Sequence, residues 1–65
     1  MEPYQQRVVD EKNELEDKLG KLIEFIEESP TFPRLPDDEK NRLRRQKDSM
    51  KNYSDVLEER IAAFN

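Results

Sequence analysis

The side chains that could do chemistry in this chain are basic, acidic and aromatic, because its 65 residues include no histidine and no cysteine. Basic residues concentrate between positions 40 and 51, where Asp48 is the single acid: Lys40, Arg42, Arg44, Arg45, Lys47 and Lys51. Such a cluster attracts phosphates or acidic surfaces. Acidic residues dominate positions 11–28. The alternative is therefore that the two segments pair with each other across an antiparallel hairpin and between subunits.

Catalysis has little support in the residue types. There is no glycine-rich phosphate loop, and the lack of histidine and cysteine removes zinc sites built from imidazole or thiolate. Carboxylate pairs such as Glu24 with Glu28 occur in any charged helix, and a di-metal carboxylate bundle would normally add histidine. We predict a protein that is not an enzyme and uses no metal or cofactor. The net charge of −4 also makes a nucleic acid polymer the least favoured partner.

Two helical patterns of similar length must position these side chains. Seven-residue apolar rows run through Val8, Leu15 and Leu22, through Leu19 and Ile26, and through Leu43, Met50, Leu57 and Phe64, with Tyr53 and Ile61 beside the last row. Pro30 ends the first helix, and acids at 37–39 suit the first turn of the second. The sequence predicts one all-α domain over 1–65, an antiparallel helical hairpin with helices near 3–28 and 36–64. The loop lies near 29–35, and Phe32 and Leu35 should cover the end of the apolar seam next to it.

One hairpin of this size is too thin to be complete alone. Two helices bury a single seam, and small chains without disulfides or metals usually need oligomerisation. We therefore predict a homo-oligomeric helical bundle. Polar residues also occur within the apolar rows, for example Lys12, Lys47 and Ser54. Their side chains either reach solvent at the edge of the seam, or they fix the register of the helices or contact a ligand. Gly20 indicates either close approach by another helix or a tolerated surface position.

The setting predicted from the sequence is the cytosol. No apolar run approaches the roughly 18 residues of a membrane span. The first residues also lack the basic and then apolar pattern of a secretory signal.

Nearly the whole chain resembles a small phage family. The residues that carry the likeness in the first half are Tyr4-Gln5-Gln6-Arg7-Val8, Glu11-Lys12, Leu15, Lys18-Leu19, Lys21-Leu22, Phe25-Ile26 and Ser29-Pro30-Thr31-Phe32. Those in the second half are Leu35-Pro36, Leu43-Arg44-Arg45-Gln46, Met50, Tyr53-Ser54, Val56-Leu57 and Glu59-Arg60-Ile61-Ala62-Ala63-Phe64. The pattern is similar to the helical-hairpin domain of phage anti-CBASS cyclic-oligonucleotide sponges, shared in part with anti-Thoeris sponges.

The resemblance implies a homo-oligomer, commonly a hexamer, in the cytoplasm of the infected bacterium. It implies binding of cyclic di- or trinucleotides, such as cyclic GMP-AMP, in pockets between subunits without cleavage. By residue type, Tyr4, Lys18 or Lys21, and Arg60 match the family's contacts, and Arg7 completes the predicted ligand-binding set. A rival hypothesis is a structural hairpin adaptor that binds a protein.

Three of the aromatic and basic residues also have structural alternatives. Tyr4 is equally suited to capping the apolar stripe at the helix end. Arg60 is suited to an ion pair with Asp17 or another acid. Tyr53, which flanks the Met50–Leu57 row, is expected in the core.

Overall fold

Two long α-helices joined by a short connection make up the fold. The computed structural model describes residues 1–64, with helix α1 over Pro3–Glu28, a single 3₁₀ turn over Phe32–Arg34 and helix α2 over Asp37–Ala62. The helices pack against each other as a hairpin, and no strand occurs in the described part of the chain. The predicted helical hairpin is confirmed. The bounds of the first helix match, whereas α2 is shorter than predicted by one residue at its start and two at its end.

Local chemistry fixes the helix ends. At the start of α1 the backbone N–H of Glu2 donates to Oε1 of Gln5 at 2.8 Å, and Pro3 occupies the first turn, where its missing N–H costs nothing. At the end, the N–H of Ser29 donates to the carbonyl of Phe25 at 3.3 Å before Pro30 stops the helix. Helix α2 starts after Pro36 with acids at 37–39, where the helix dipole favours negative charge.

The apolar seam is tightest in what we call the terminal half of the hairpin, which lies opposite the loop and contains the start of α1 and the end of α2. Val8, Leu15 and Leu57 are buried there, and Leu57 is only 1% exposed. Met50, Ile61 and Phe64 pack around this cluster. The seven-residue rows therefore predict the core correctly in this half.

The loop half, which lies next to residues 29–36, is covered less completely. Phe32 is buried as predicted, but Leu35 and the seam residues Leu22, Ile26 and Leu43 are only half-buried. The Phe32 ring packs edge-on against Phe25, with the ring centroids 6.1 Å apart and an angle of 85° between the rings. Packing in the loop half therefore depends on the buried side chain of Phe32 and not on a continuous layer of buried apolar residues.

The resulting rod measures 47 × 15 × 13 Å, so a second layer of helices is missing from the single chain. Tyr53 and Val56 are 44% and 51% exposed. The prediction that Tyr53 belongs to the core is wrong for the single chain, because it lies beside the Met50–Leu57 row and one partner helix covers only that row. None of the helices in residues 1–64 has the length and apolar character needed to cross a membrane.

Candidate ligand-binding site

Tyr4 stands at the end of the hairpin opposite the loop, beside Phe64. Its ring packs edge-on against Phe64, with centroids 6.0 Å apart and 77° between the planes. The residue is nevertheless 51% exposed. Tyr4 therefore caps the apolar stripe and still offers ring surface to a ligand, so the two interpretations of this residue are compatible.

Two arginines accompany Tyr4 at this end. Arg7 follows it by one helical turn, and Arg60 lies one turn before Phe64 on the antiparallel helix. Both side chains are exposed, and neither forms an ion pair with any of residues 1–64. The alternative that Arg60 pairs with Asp17 is wrong, since Asp17 Oδ2 instead meets Nζ of Lys21 at 3.1 Å.

The predicted lysines lie elsewhere on α1. Lys18 and Lys21 follow Tyr4 by 14 and 17 residues, which places them about 21 and 26 Å further along a helix that rises about 1.5 Å per residue. A single chain therefore does not bring either lysine to Tyr4. The two also differ from each other, because Lys21 is bridged to Asp17, whereas Lys18 is exposed and has no ion-pair partner in residues 1–64.

A shallow groove of about 390 Å³ runs along the last turns of α1 and is lined by Lys21, Glu24, Phe25, Glu28 and Ser29. Two carboxylates and one ammonium give it an acidic character. The groove therefore opposes phosphate binding in the single chain.

A polar cluster crosses the seam in the terminal half. Lys12 Nζ contacts Glu16 on its own helix and Oε2 of Glu58 on α2 at 3.1 Å, and Ser54 Oγ donates to Oε1 of Glu16 at 3.4 Å. Hydrogen bonds to Glu16 and Glu58 raise the pKa of Lys12, and the hydrogen bond from Lys12 lowers the pKa of Glu16. Lys12 and Ser54 stand out in the sequence as polar residues in apolar rows, but the pattern does not reveal their shared carboxylate partners. The cluster favours a register role over a ligand role.

The basic segment of α2 does not pair with the acidic end of α1. Lys12 with Glu58 is the one ion pair that joins the helices within residues 1–64; Lys40 and Arg42 pair with acids on α2 itself. The Arg44 guanidinium instead lies 5.3 Å from the centre of the Phe32 ring. The alternative that the two segments pair across the seam is therefore wrong at the loop half within a single chain, whereas pairing between subunits stays a prediction.

No group of side chains that could hold a metal ion occurs among residues 1–64. Comparison with known proteins gives one family: the family model described as Sequestin matches residues 2–63. No curated protein matches the chain. No solved structure matches it either.

Proposed function

Because the chain belongs to the Sequestin family, we propose that it is a phage immune-evasion protein that sequesters cyclic di- and trinucleotide messengers of bacterial CBASS-type defence. The family name denotes sequestration, and the match confirms the predicted membership of a sequestering family. The identity of the messenger, its binding without cleavage and the host cytoplasm as the place of action are our proposal.

The observation that supports this function is the composition of the terminal end. A cyclic dinucleotide presents two phosphodiesters and two flat bases. The half-exposed ring of Tyr4 offers a stacking surface, and base stacking on an aromatic side chain contributes about 1–3 kcal/mol. The guanidinium groups of Arg7 and Arg60, at the same end, can each bind a phosphate through two hydrogen bonds.

The position of Lys18 supports a site shared between subunits. Lys18 lies about 21 Å from Tyr4 along α1, so the two side chains of one copy do not meet, whereas a neighbouring copy could bring its own Lys18 close to Tyr4. We propose a homo-oligomer, a hexamer as the resemblance implies, in which the terminal end of one copy approaches Lys18 of a neighbour. Between the two candidate lysines, Lys18 is favoured because Lys21 already has an ion-pair partner in Asp17, although the pair is exposed and therefore weak.

Titration calorimetry with cyclic GMP-AMP and with cyclic trinucleotides tests the proposal. Tyr4→Ala should weaken binding by about 5- to 150-fold, which corresponds to the loss of about 1–3 kcal/mol of stacking. Lys18→Ala should also weaken binding, whereas Lys21→Ala is the matched control and should have the smaller effect. Circular dichroism checks that all three variants keep their helices.

The proposal fails if no messenger in a broad panel binds with a dissociation constant below about 10 μM, equivalent to about −7 kcal/mol. Recovery of the messenger after the protein is denatured separates sequestration from cleavage. Intact messenger is expected, and chromatographic loss of the messenger would contradict the absence of cleavage.

A structural adaptor is the second candidate, and the exposed apolar pair of Tyr53 and Val56 favours it. An affinity pull-down that returned one protein partner in stoichiometric amount, from a chain that ignores every cyclic nucleotide, would support the adaptor and reject the sponge.

A further inference from the structure

Tyr53 is an aromatic side chain that neither the apolar seam nor the proposed site uses. The other aromatic rings of the chain contact each other in pairs, Tyr4 with Phe64 and Phe25 with Phe32. Tyr53 contacts no other ring within residues 1–64, and it is 44% exposed on α2. Its ring is therefore free to meet a flat partner from outside the chain.

The register of the two helices places Lys18 beside Tyr53. Ser54 Oγ on α2 donates to Oε1 of Glu16 on α1. Because the helices are antiparallel, Lys18, two residues later on α1, lies level with residue 52 of α2, next to Tyr53. The ion pair that joins the two helices gives the same register.

Both side chains also lie on the same flank of the hairpin. Successive residues of an α-helix are about 100° apart around its axis. On α1, Lys18 is rotated by about 60° from the buried Leu15, and the lysine of the polar cluster by about 60° in the opposite sense. On α2, Tyr53 is rotated by about 40° from the buried Leu57, and Ser54 by about 60° in the opposite sense. The polar cluster therefore occupies one flank, and Lys18 and Tyr53 lie together on the other.

The two groups have the chemistry of a nucleotide contact. Packed helices lie about 8–10 Å apart, and a nucleotide, whose base and phosphate are joined through a sugar, can span such a gap. Lys18 is exposed and has no ion-pair partner within residues 1–64, not even Glu14 one turn earlier. An apolar partner would cover the Tyr53 ring but would leave the neighbouring ammonium without a counter-charge. A phosphate with an attached base satisfies both groups.

We propose that Lys18 and Tyr53 of one copy hold one nucleotide unit of the messenger, with the ammonium on the phosphodiester and the ring against the base. The inference rests on the proposed function and assigns Tyr53 to its binding site. In the site shared between copies, the two bases of a cyclic dinucleotide then meet two tyrosines, Tyr4 from one copy and Tyr53 from the other.

Two substitutions of Tyr53 in the full chain test the stacking contact by calorimetry with cyclic GMP-AMP. Tyr53→Leu keeps an apolar side chain without a ring, and it should weaken binding by about 5- to 150-fold. Tyr53→Phe is the matched control, because it keeps the ring, and it should bind within about threefold of the unmodified protein. Sedimentation of the ligand-free variants should match that of the unmodified protein.

A fluorescent variant reports the contact directly. The chain has no tryptophan, so Tyr53→Trp introduces a single indole. A saturating amount of cyclic GMP-AMP should quench its emission, since the base stacks on the indole. Val56→Trp is the control on the same helix, where the side chain is 51% exposed and rotated further from the seam, and it should be quenched less.

A double-mutant cycle tests whether Lys18 and Tyr53 hold the same nucleotide. Groups that share a partner are coupled. The loss of affinity in Lys18→Ala/Tyr53→Leu should therefore fall short of the product of the two single losses by about twofold or more. A double loss equal to that product would overturn the shared contact.

The outcomes separate this inference from the proposed function. An unmodified protein that binds no messenger would overturn both. Binding that Tyr53→Leu leaves unchanged, or a Tyr53→Trp emission that stays constant while calorimetry shows binding, would overturn the role of Tyr53 alone. Dissociation of the ligand-free oligomer by Tyr53→Leu would show that the ring covers a contact between copies, and this inference would then be wrong.

Discussion

Replacement of Leu57 by alanine tests whether the terminal half holds the hairpin together. Leu57 is the most buried side chain in the chain's core, at 1% exposure, and Met50, Ile61 and Phe64 pack around its cluster. Removing a buried leucine side chain costs about 2–5 kcal/mol, depending on how far the surroundings close on the cavity. Two slender helices can approach each other, so we expect about 2–3 kcal/mol.

That loss is large for this chain. Folded domains have about 0.05–0.15 kcal/mol of stability per residue, which gives about 3–10 kcal/mol for a chain of this length. A hairpin with few buried side chains belongs at the lower end, at about 3–5 kcal/mol. Leu57→Ala should therefore leave about 0–3 kcal/mol of stability, and its urea midpoint should fall by roughly half or more.

Urea unfolding followed by circular dichroism at several protein concentrations measures the effect. Val56→Ala is the matched control, since Val56 is the preceding residue of the same helix and is 51% exposed. It should cost less than about 0.5 kcal/mol in the monomer. Equal losses for the two variants would refute the packing of Leu57 between the helices, and a concentration-dependent loss for Val56→Ala would show that another copy covers this residue.

Two further predictions concern the middle of the hairpin. Gly20→Ala should raise the free energy of unfolding by about 0.5–1 kcal/mol, because an added Cβ meets nothing within 4 Å and alanine favours the helix; disassembly in sedimentation would instead show that another helix approaches there. The pKa of Glu16 is lowered from its ordinary value of 4.5, so its contact with Lys12 stabilises the fold fully above pH 4.5. This stabilisation is lost as the pH falls through the lowered pKa. The raised pKa of Lys12 means that this contribution is also lost as the pH rises above 10.5. In thermal melts across both ranges, Glu16→Gln should show the flatter pH dependence, and an unchanged slope would contradict the role of the pair.

Periodicity is sufficient to predict the hairpin. Proline positions indicate the bounds of α1, because both Pro3 and Pro30 act through local backbone geometry. The predicted end of α2 is too late because Phe64 continues the apolar row although it lies beyond the helix, where it packs on Tyr4. The 3₁₀ turn is not predicted by the apolar pattern, although Pro33 within Phe32–Arg34 is compatible with such a turn.

The candidate site is harder to predict because it depends on distances between distant parts of the chain. Residue types indicate Tyr4, Arg7 and Arg60 as candidate ligand-binding residues, and the antiparallel fold places all three at one end of the hairpin. The same fold keeps Lys18 and Lys21 away from that end, which residue types alone do not reveal. Partners of charged side chains are the least predictable feature, since several acids lie within reach of any long basic side chain on a helix.

The pairing of Tyr4 with Phe64 has a practical consequence for protein engineering. It holds the start of α1 beside Phe64, so a group attached close to either residue lies at the same end of the rod as Arg7 and Arg60. An affinity tag or fluorescent label there would crowd the surface where we expect the messenger. The exposed loop position Arg34, at the opposite tip, is the better attachment point for a reporter.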